Sequence, residues 1–162
     1  MKKLYKKALI LLLITILVVV GYRAFINYSN NIEDVRFSRI IDGDSFYLII
    51  KGEEKECRLI GIDAPEISNN EPHAKEAREY CNDILINANK LKVEYDEESK
   101  RVDNYGRELV YVFIDDELLQ TELLKQGYAK VAYIYGDYKY LKEMKNAEFE
   151  ARRKQLNIWS DK

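Results

Sequence analysis

Hydrophobic positions along the chain recur at two different periods, and the switches between them mark the elements. Residues 37–41 alternate apolar and polar, as a half-buried strand does. Asp42-Gly43-Asp44 signals a turn, and residues 45–50 form a second strand. Lys51-Gly52 reads as a hairpin turn, and residues 54–60 alternate again. To this point the pattern predicts an antiparallel meander. Asp63-Ala64-Pro65-Glu66 breaks it, because proline has no N–H to give to a ladder. Past a polar loop, Pro72 stands where a helix can start. Residues 74–88 follow the helical period, with Ala77, Cys81, Leu85 and Ala88 along one stripe. Strands are predicted over 91–95 and 107–114, with a charged loop between them. Helices are predicted over 118–126, ended by Gly127, and over 139–155, with Leu141, Met144, Ala147 and Ala151 as a narrow apolar stripe. Five short strands with a helix between the third and fourth predict an α+β, mainly β fold. That fold is a five-stranded OB-like barrel with three helices. A barrel sandwich without the interposed helix is the alternative architecture.

The first thirty residues differ from the rest. Lys2, Lys3, Lys6 and Lys7 form a basic start, residues 8–22 carry no charge, and Arg23 follows. This is the layout of a signal sequence, so an N-terminal hydrophobic signal or anchor helix is predicted over residues 1–26. The uncharged run is shorter than the roughly 20 residues a spanning helix needs, although flanking Lys and Arg can extend its reach. Val19-Val20-Gly21 is the nearest approach to a cleavage site. An uncleaved anchor and a cleaved signal peptide therefore both stay open. The basic start predicts the remainder outside the cytoplasm in either case. Residues 27–35 read as a short linker and 36–162 as one domain.

Charge then limits the function. Five basic and no acidic residues precede Asn31, so the remainder carries 21 Lys and Arg against 28 Asp and Glu, a net charge of −7. Such a domain does not hold nucleic acid by bulk charge. If it handles phosphates, it does so at a local basic site helped by a cation. Cys57 and Cys81 are the only cysteines. Outside the cytoplasm they could pair, or they are two small buried side chains.

Candidate chemistry lies at the breaks between strands. Asp42 and Asp44 flank the first turn, and Asp63 and Glu66 follow the third strand. In a meander these strand ends can meet, and three or four converging carboxylates repel unless a cation joins them. Oxygen-only ligands suit a hard ion such as calcium or magnesium. With no Cys/His cluster, zinc has no site. The single His73, beside Pro72, reads as a surface residue at a helix start. Arg58 alternates to the face opposite Cys57 and Leu59, and Arg107 follows Tyr105-Gly106. A guanidinium fork matches two phosphate oxygens. Taken singly, each of these residues reads as a solvated surface charge.

Taken in order, they say more. IIDGDSF (residues 40–46), CRLIGIDAPE (57–66), DNYGREL (103–109), LLKQGYAKVAYIY (123–135) and LNIWS (156–160) resemble the staphylococcal nuclease family in sequence, order and approximate spacing. The resemblance covers residues 37–159 and implies an OB-type barrel with a calcium-dependent nuclease site. Position by position, it implies Asp44 and Asp63 as carboxylate ligands of Ca2+ and Ala64 as a backbone carbonyl ligand, where the family usually has threonine. It implies Glu66 as the residue that orients or deprotonates the attacking water. Arg58 and Arg107 become the phosphate-binding arginines, Asp42 an acid behind the metal, and Tyr105 and Tyr133 substrate contacts. The implied activity is endonucleolytic hydrolysis of DNA and RNA, leaving 3′-phosphate ends, by a monomer. The loop after Glu66 is short and lacks lysines, Asn104 stands where a lysine is found, and Gly136-Asp137-Tyr138 replaces a proline-containing segment. Two other readings remain: a non-catalytic nucleic-acid-binding OB domain, for which thirteen tyrosines could supply stacking surfaces, and a calcium-stabilised structural domain at the cell surface. The first does not account for the carboxylate–arginine set, and the second leaves the arginines unexplained.

Overall fold

Phe46, Leu48 and Ile50 alternate onto one buried face, which makes β2 (Ser45–Ile50) a strand of period two. The computed structural model describes residues 2–160. In it, β2 pairs antiparallel with β1 (Ile32–Ile40) and with β3 (Glu53–Leu59). Lys51 and Gly52, which join β2 to β3, have φ of 53° and 85°, the left-handed pair of a tight hairpin turn. β5 (Leu91–Glu94) pairs antiparallel with β6 (Glu108–Ile114), and β6 runs parallel to β3, with Arg58 opposite Leu109. Because β5 also lies beside β1, the strands close into a five-stranded barrel in the order β1-β2-β3-β6-β5. Phe46, Leu48, Leu59, Val93 and Val110 fill it, each at most 1% exposed. Burial of this kind contributes roughly 1.5–3 kcal/mol per large side chain.

Three pairs of residues form strands too short for any periodicity to reveal. β4 (Ile62–Asp63) pairs with β8 (Lys130–Val131), and β7 (Glu117–Leu118) pairs with the end of β6. Since Leu118 is in β7, α3 (Leu119–Lys125) starts one residue later than predicted. Gln120 on α3 reaches the β6 backbone, accepting from Val112 N (3.3 Å) and donating to Val110 O (3.0 Å).

α2 (Ala74–Asn87) buries Ala74, Ala77, Cys81 and Leu85, the predicted stripe shifted toward its start. Its N-cap is His73 with φ 66°, so Pro72 precedes the helix instead of opening it. α4 (Leu141–Arg153) begins two residues later than predicted. The Lys139 N–H instead donates to Asp96 Oδ2 at 3.0 Å. Gly61, at φ 78°, leaves room for Met144 of α4, whose Cε would lie 2.8 Å from a Cβ there. Cys57 and Cys81 are both buried free thiols. The described residues hold four α-helices and a 3-10 helix (Asn157–Trp159) rather than three helices, because α1 (Lys2–Asn31) and the terminal turn add to α2, α3 and α4.

The chain divides into two compact units, Met1–Ile32 and Glu33–Lys162. The stretch read as a linker is helical as far as Asn31 and in β1 from Ile32, and Val35 of β1 is buried. Among the described residues no helix is long and apolar enough to cross a membrane. The uncharged run of residues 8–22 spans only about 22 Å of helix, at ~1.5 Å per residue, against a hydrocarbon core of ~30 Å.

Candidate active site

The turn between β1 and β2 folds on its own backbone. Ile41 N and Asp42 N donate to Ser45 O at 3.0 and 3.1 Å. Asp42 Oδ1 accepts from Asp44 N at 3.2 Å, so Asp42 braces the turn. Burial pushes the Asp42 carboxyl above its ordinary value, and Arg58 and Ser45 oppose that rise. A Cβ on Gly43 would lie 2.9 Å from Ala64 Cβ and 3.0 Å from Ala77 Cβ. Only glycine lets this turn dock against both α2 and the segment after β4.

Docking brings Asp44 to the second break. Asp44, 2% exposed, accepts from Ser45 Oγ at 3.0 Å and from Ala64 N at 2.6 Å. Its backbone carbonyl accepts from Leu59 N at 2.9 Å. Asp63 sits on β4, opposite Lys130 of β8. Arg58 lies between the two carboxylates: it is ion-paired with Asp44 and donates through Nη2 to Asp63 Oδ1 at 3.1 Å. Lys130 Nζ holds Asp63 Oδ2 at 3.0 Å. Burial lowers the Arg58 guanidinium from its ordinary value, and Asp63 acts against it. The hydrogen bond to Asp63 raises the Lys130 ammonium.

Arg58 also lines a cleft of about 760 Å³. Glu66, Arg107, Tyr105 and Tyr133 share its lining with Arg58. The parallel β3–β6 pairing explains the two arginines, since Arg58 lies opposite Leu109, two residues beyond Arg107. Asp103 anchors Arg107, accepting from its Nε at 2.8 Å and its backbone N at 3.0 Å, and from Tyr105 N at 2.8 Å. Burial alone would raise the Asp103 carboxyl, but these donors outweigh it and hold the group below its ordinary range. Glu66 is fixed by a backbone exchange with Glu71: its N–H donates to Glu71 Oε2 (3.1 Å) and its carbonyl accepts from Glu71 N (3.2 Å). Tyr133 is held at φ 56°, a conformation costly for an aromatic residue and met where surroundings impose it.

The nine residues singled out from the sequence therefore fall into two groups. Arg58, Glu66, Arg107, Tyr105 and Tyr133 face the cleft. Asp42, Asp44, Asp63 and Ala64 lie at the meeting of the two strand breaks. The acids do not converge as a set of three or four. Among the described residues no three Asp, Glu, His or Cys side chains gather to hold an ion. Asp42 turns to its own backbone, while Asp44 and Asp63 converge on one cation, Arg58. That pair still fits a hard cation: two carboxylates, one from the β1–β2 turn and one from β4, already meet at one positive centre, and their donor atoms are oxygens. Water and phosphate oxygens would complete such a shell. Pattern reading missed Asp103, Lys130 and Glu71. For Asp103 a signal existed, an Asp-Asn-Tyr-Gly turn with arginine four residues on. Lys130 depends on a strand pairing that no local pattern announces.

A small closed barrel thus carries two arginines and a glutamate in one cleft, with paired carboxylates on one of the arginines, and a guanidinium fork is suited to phosphate oxygens. Comparison with known proteins agrees. Residues 56–161 match the family described as "Staphylococcal nuclease homologue". Thermonuclease of Staphylococcus intermedius is 35% identical over 172 residues, covering 98% of this chain and 99% of that protein. Thermonuclease of Staphylococcus hyicus is 34% identical over 135 residues, covering 81% and 78%. The SPbeta prophage-derived endonuclease YokF of Bacillus subtilis (strain 168) is 38% identical over 132 residues; 78% of this chain matches 44% of YokF, so the chain spans under half of that relative. The chain belongs to the staphylococcal nuclease family.

Proposed function

We propose that the protein is a calcium-dependent endonuclease that hydrolyses phosphodiester bonds of DNA and RNA by attack of water. The observation that carries this reading is the convergence of Glu66, Arg58 and Arg107 on one cleft, with Asp44 and Asp63 sharing Arg58 behind it. Asp44 and Asp63, with the Ala64 carbonyl, would hold the cation. When bound, calcium supplies positive charge that polarises a phosphoryl oxygen.

The chain's own residues do the rest. A phosphodiester is an anion that repels nucleophiles. Arg107, oriented by Asp103, and Arg58 grip its oxygens and favour the added negative charge of the transition state. Glu66, fixed by Glu71, lines up water for in-line attack and takes its proton. Loss of the 5′ oxygen leaves a 3′-phosphate. Tyr105 and Tyr133, both largely exposed at the cleft, offer faces on which bases stack.

The exposed tyrosines also favour a second reading, a binding module without catalysis. Glu66→Gln separates the two. It removes the base and keeps the shape, so a nuclease should lose at least about 100-fold in rate, the scale of general-base catalysis, with oligonucleotide binding retained. A wild-type domain that binds and never cuts would leave the binding module. End-labelling of the products reads the 3′-phosphate.

The N-terminal segment supports an extracytoplasmic location, with the domain exported and held at the membrane or released by cleavage. The described side chains from Ile10 to Leu13 and from Ile16 to Val20 are apolar and exposed, and the Thr15 hydroxyl donates within its own helix, to Leu12 O at 2.7 Å. External protease should digest the domain on intact cells unless the protein is found in the medium; protection inside intact cells contradicts this location.

A further inference from the structure

Asp63 spends both carboxylate oxygens on protein cations. Oδ1 takes Arg58 Nη2 at 3.1 Å, and Oδ2 takes Lys130 Nζ at 3.0 Å. Asp44 takes Arg58 as well, so two carboxylates are balanced by two basic side chains. The cations differ in what else they can reach. Arg58 lines the cleft, where a substrate phosphate would meet it, whereas Lys130 is absent from the cleft lining. The β4–β8 register keeps Lys130 opposite Asp63. A divalent ion drawing on the Asp63 carboxylate would compete with both cations, and the strand register would keep Lys130 close.

We propose that Lys130 is a built-in counter-ion of Asp63 that weakens the affinity of this site for a divalent cation and, without the cation, relieves repulsion between Asp63 and Asp44. The inference rests on the calcium reading above and deepens it. Its sign follows from Coulomb's law: a positive charge beside a ligand oxygen repels an incoming dication and attracts a neighbouring carboxylate. Lys130 is half exposed, its side chain 53% accessible, so solvent screens the effect and keeps it moderate. Lys130 is a positioning residue, acting through Asp63 rather than on the substrate. Nuclease activity alone would not reveal it, because a tighter cation and a disturbed Asp63 affect rate in opposite directions.

The test uses the full-length chain and two readouts, calcium titration by calorimetry and thermal unfolding with and without chelator. Lys130→Met should bind calcium about threefold tighter or more, a screened single-charge effect. It should melt below wild type in chelator, and saturating calcium should narrow that gap. Lys130→Arg keeps the charge and should match wild type in both. Lys130→Gln serves as the second neutral variant should the methionine form fold poorly. Calcium affinity unchanged or weakened in a folded neutral variant overturns the inference while leaving the calcium reading in place. A wild-type chain that takes up no calcium overturns both.

Discussion

Arg107 and Asp103 form a closed clasp: one carboxylate accepts the Arg107 Nε at 2.8 Å and the Arg107 backbone N at 3.0 Å. The clasp sets the guanidinium in the cleft before any phosphate arrives, and it makes a distant-looking loop residue part of the site. Asp103→Asn should lower kcat/KM by about tenfold or more, the scale of one misdirected charge-assisted hydrogen bond. Steady-state kinetics on the variant check this, and a rate within twofold of wild type would mean that Arg107 does not depend on the clasp.

The same clasp has a pH signature. The folded Asp103 carboxyl lies below its ordinary range, so the unfolded chain binds that proton more readily than the folded one. The contribution is fully present above the unfolded value, about 3.9, and is lost as pH falls through the lower folded value. Chemical denaturation from pH 6 down to pH 2 should therefore show a smaller acid loss of stability in Asp103→Asn than in wild type. Parallel curves would contradict the assignment.

The arginines separate function from surface charge. Arg58→Lys and Arg107→Lys keep the positive charge and lose the planar fork. Each should lower kcat/KM by about 100-fold or more, on the scale of losing one preorganised donor, roughly 2.7–4 kcal/mol. Arg36→Lys, exposed on β1, should change the rate little. Near-normal cleavage by both cleft variants would assign phosphate binding elsewhere.

Gly43 tests the docking of the first turn. In Gly43→Ala the new methyl would meet Ala64 and Ala77 at 2.9 and 3.0 Å, and both neighbours are buried. The expected loss is about 1–3 kcal/mol of stability, as for overpacking elsewhere. Activity should fall as well, because the same contact seats Asp44 against Ala64 N. Urea unfolding that matches wild type would show that the turn can move without cost.

Much of the barrel was legible because its strands bury one face at a time. β2 alternates, with Phe46, Leu48 and Ile50 buried, whereas β3 ends in three consecutive buried residues, Cys57, Arg58 and Leu59; the predicted limits of both fall within a residue of those observed. β6 was also placed within a residue, although Val110, Tyr111 and Val112 are all buried where the strand is paired on both edges. β4, β7 and β8 have two residues each, too few for a period, and the parallel β3–β6 junction leaves no local trace. The site divides the same way. Asp42, Asp44, Asp63 and Glu66 stand at visible breaks, yet Asp42 turns to its own backbone and Glu66 lines the cleft, so only Asp44 and Asp63 pair with Arg58. Lys130 was missed because its partner lies 67 positions earlier in the chain and meets it only through the β4–β8 pairing. The cysteines posed a question that distance decides: they are free thiols, and burial pushes Cys57 up to about 12 and raises Cys81 as well.

Calcium dependence is the most direct measure of the whole account. Purified, metal-stripped protein should cut single- and double-stranded DNA and RNA when calcium is added and should stop in excess chelator. Asp44→Asn or Asp63→Asn should require far more calcium for the same rate. Cleavage undiminished in excess chelator would contradict the account.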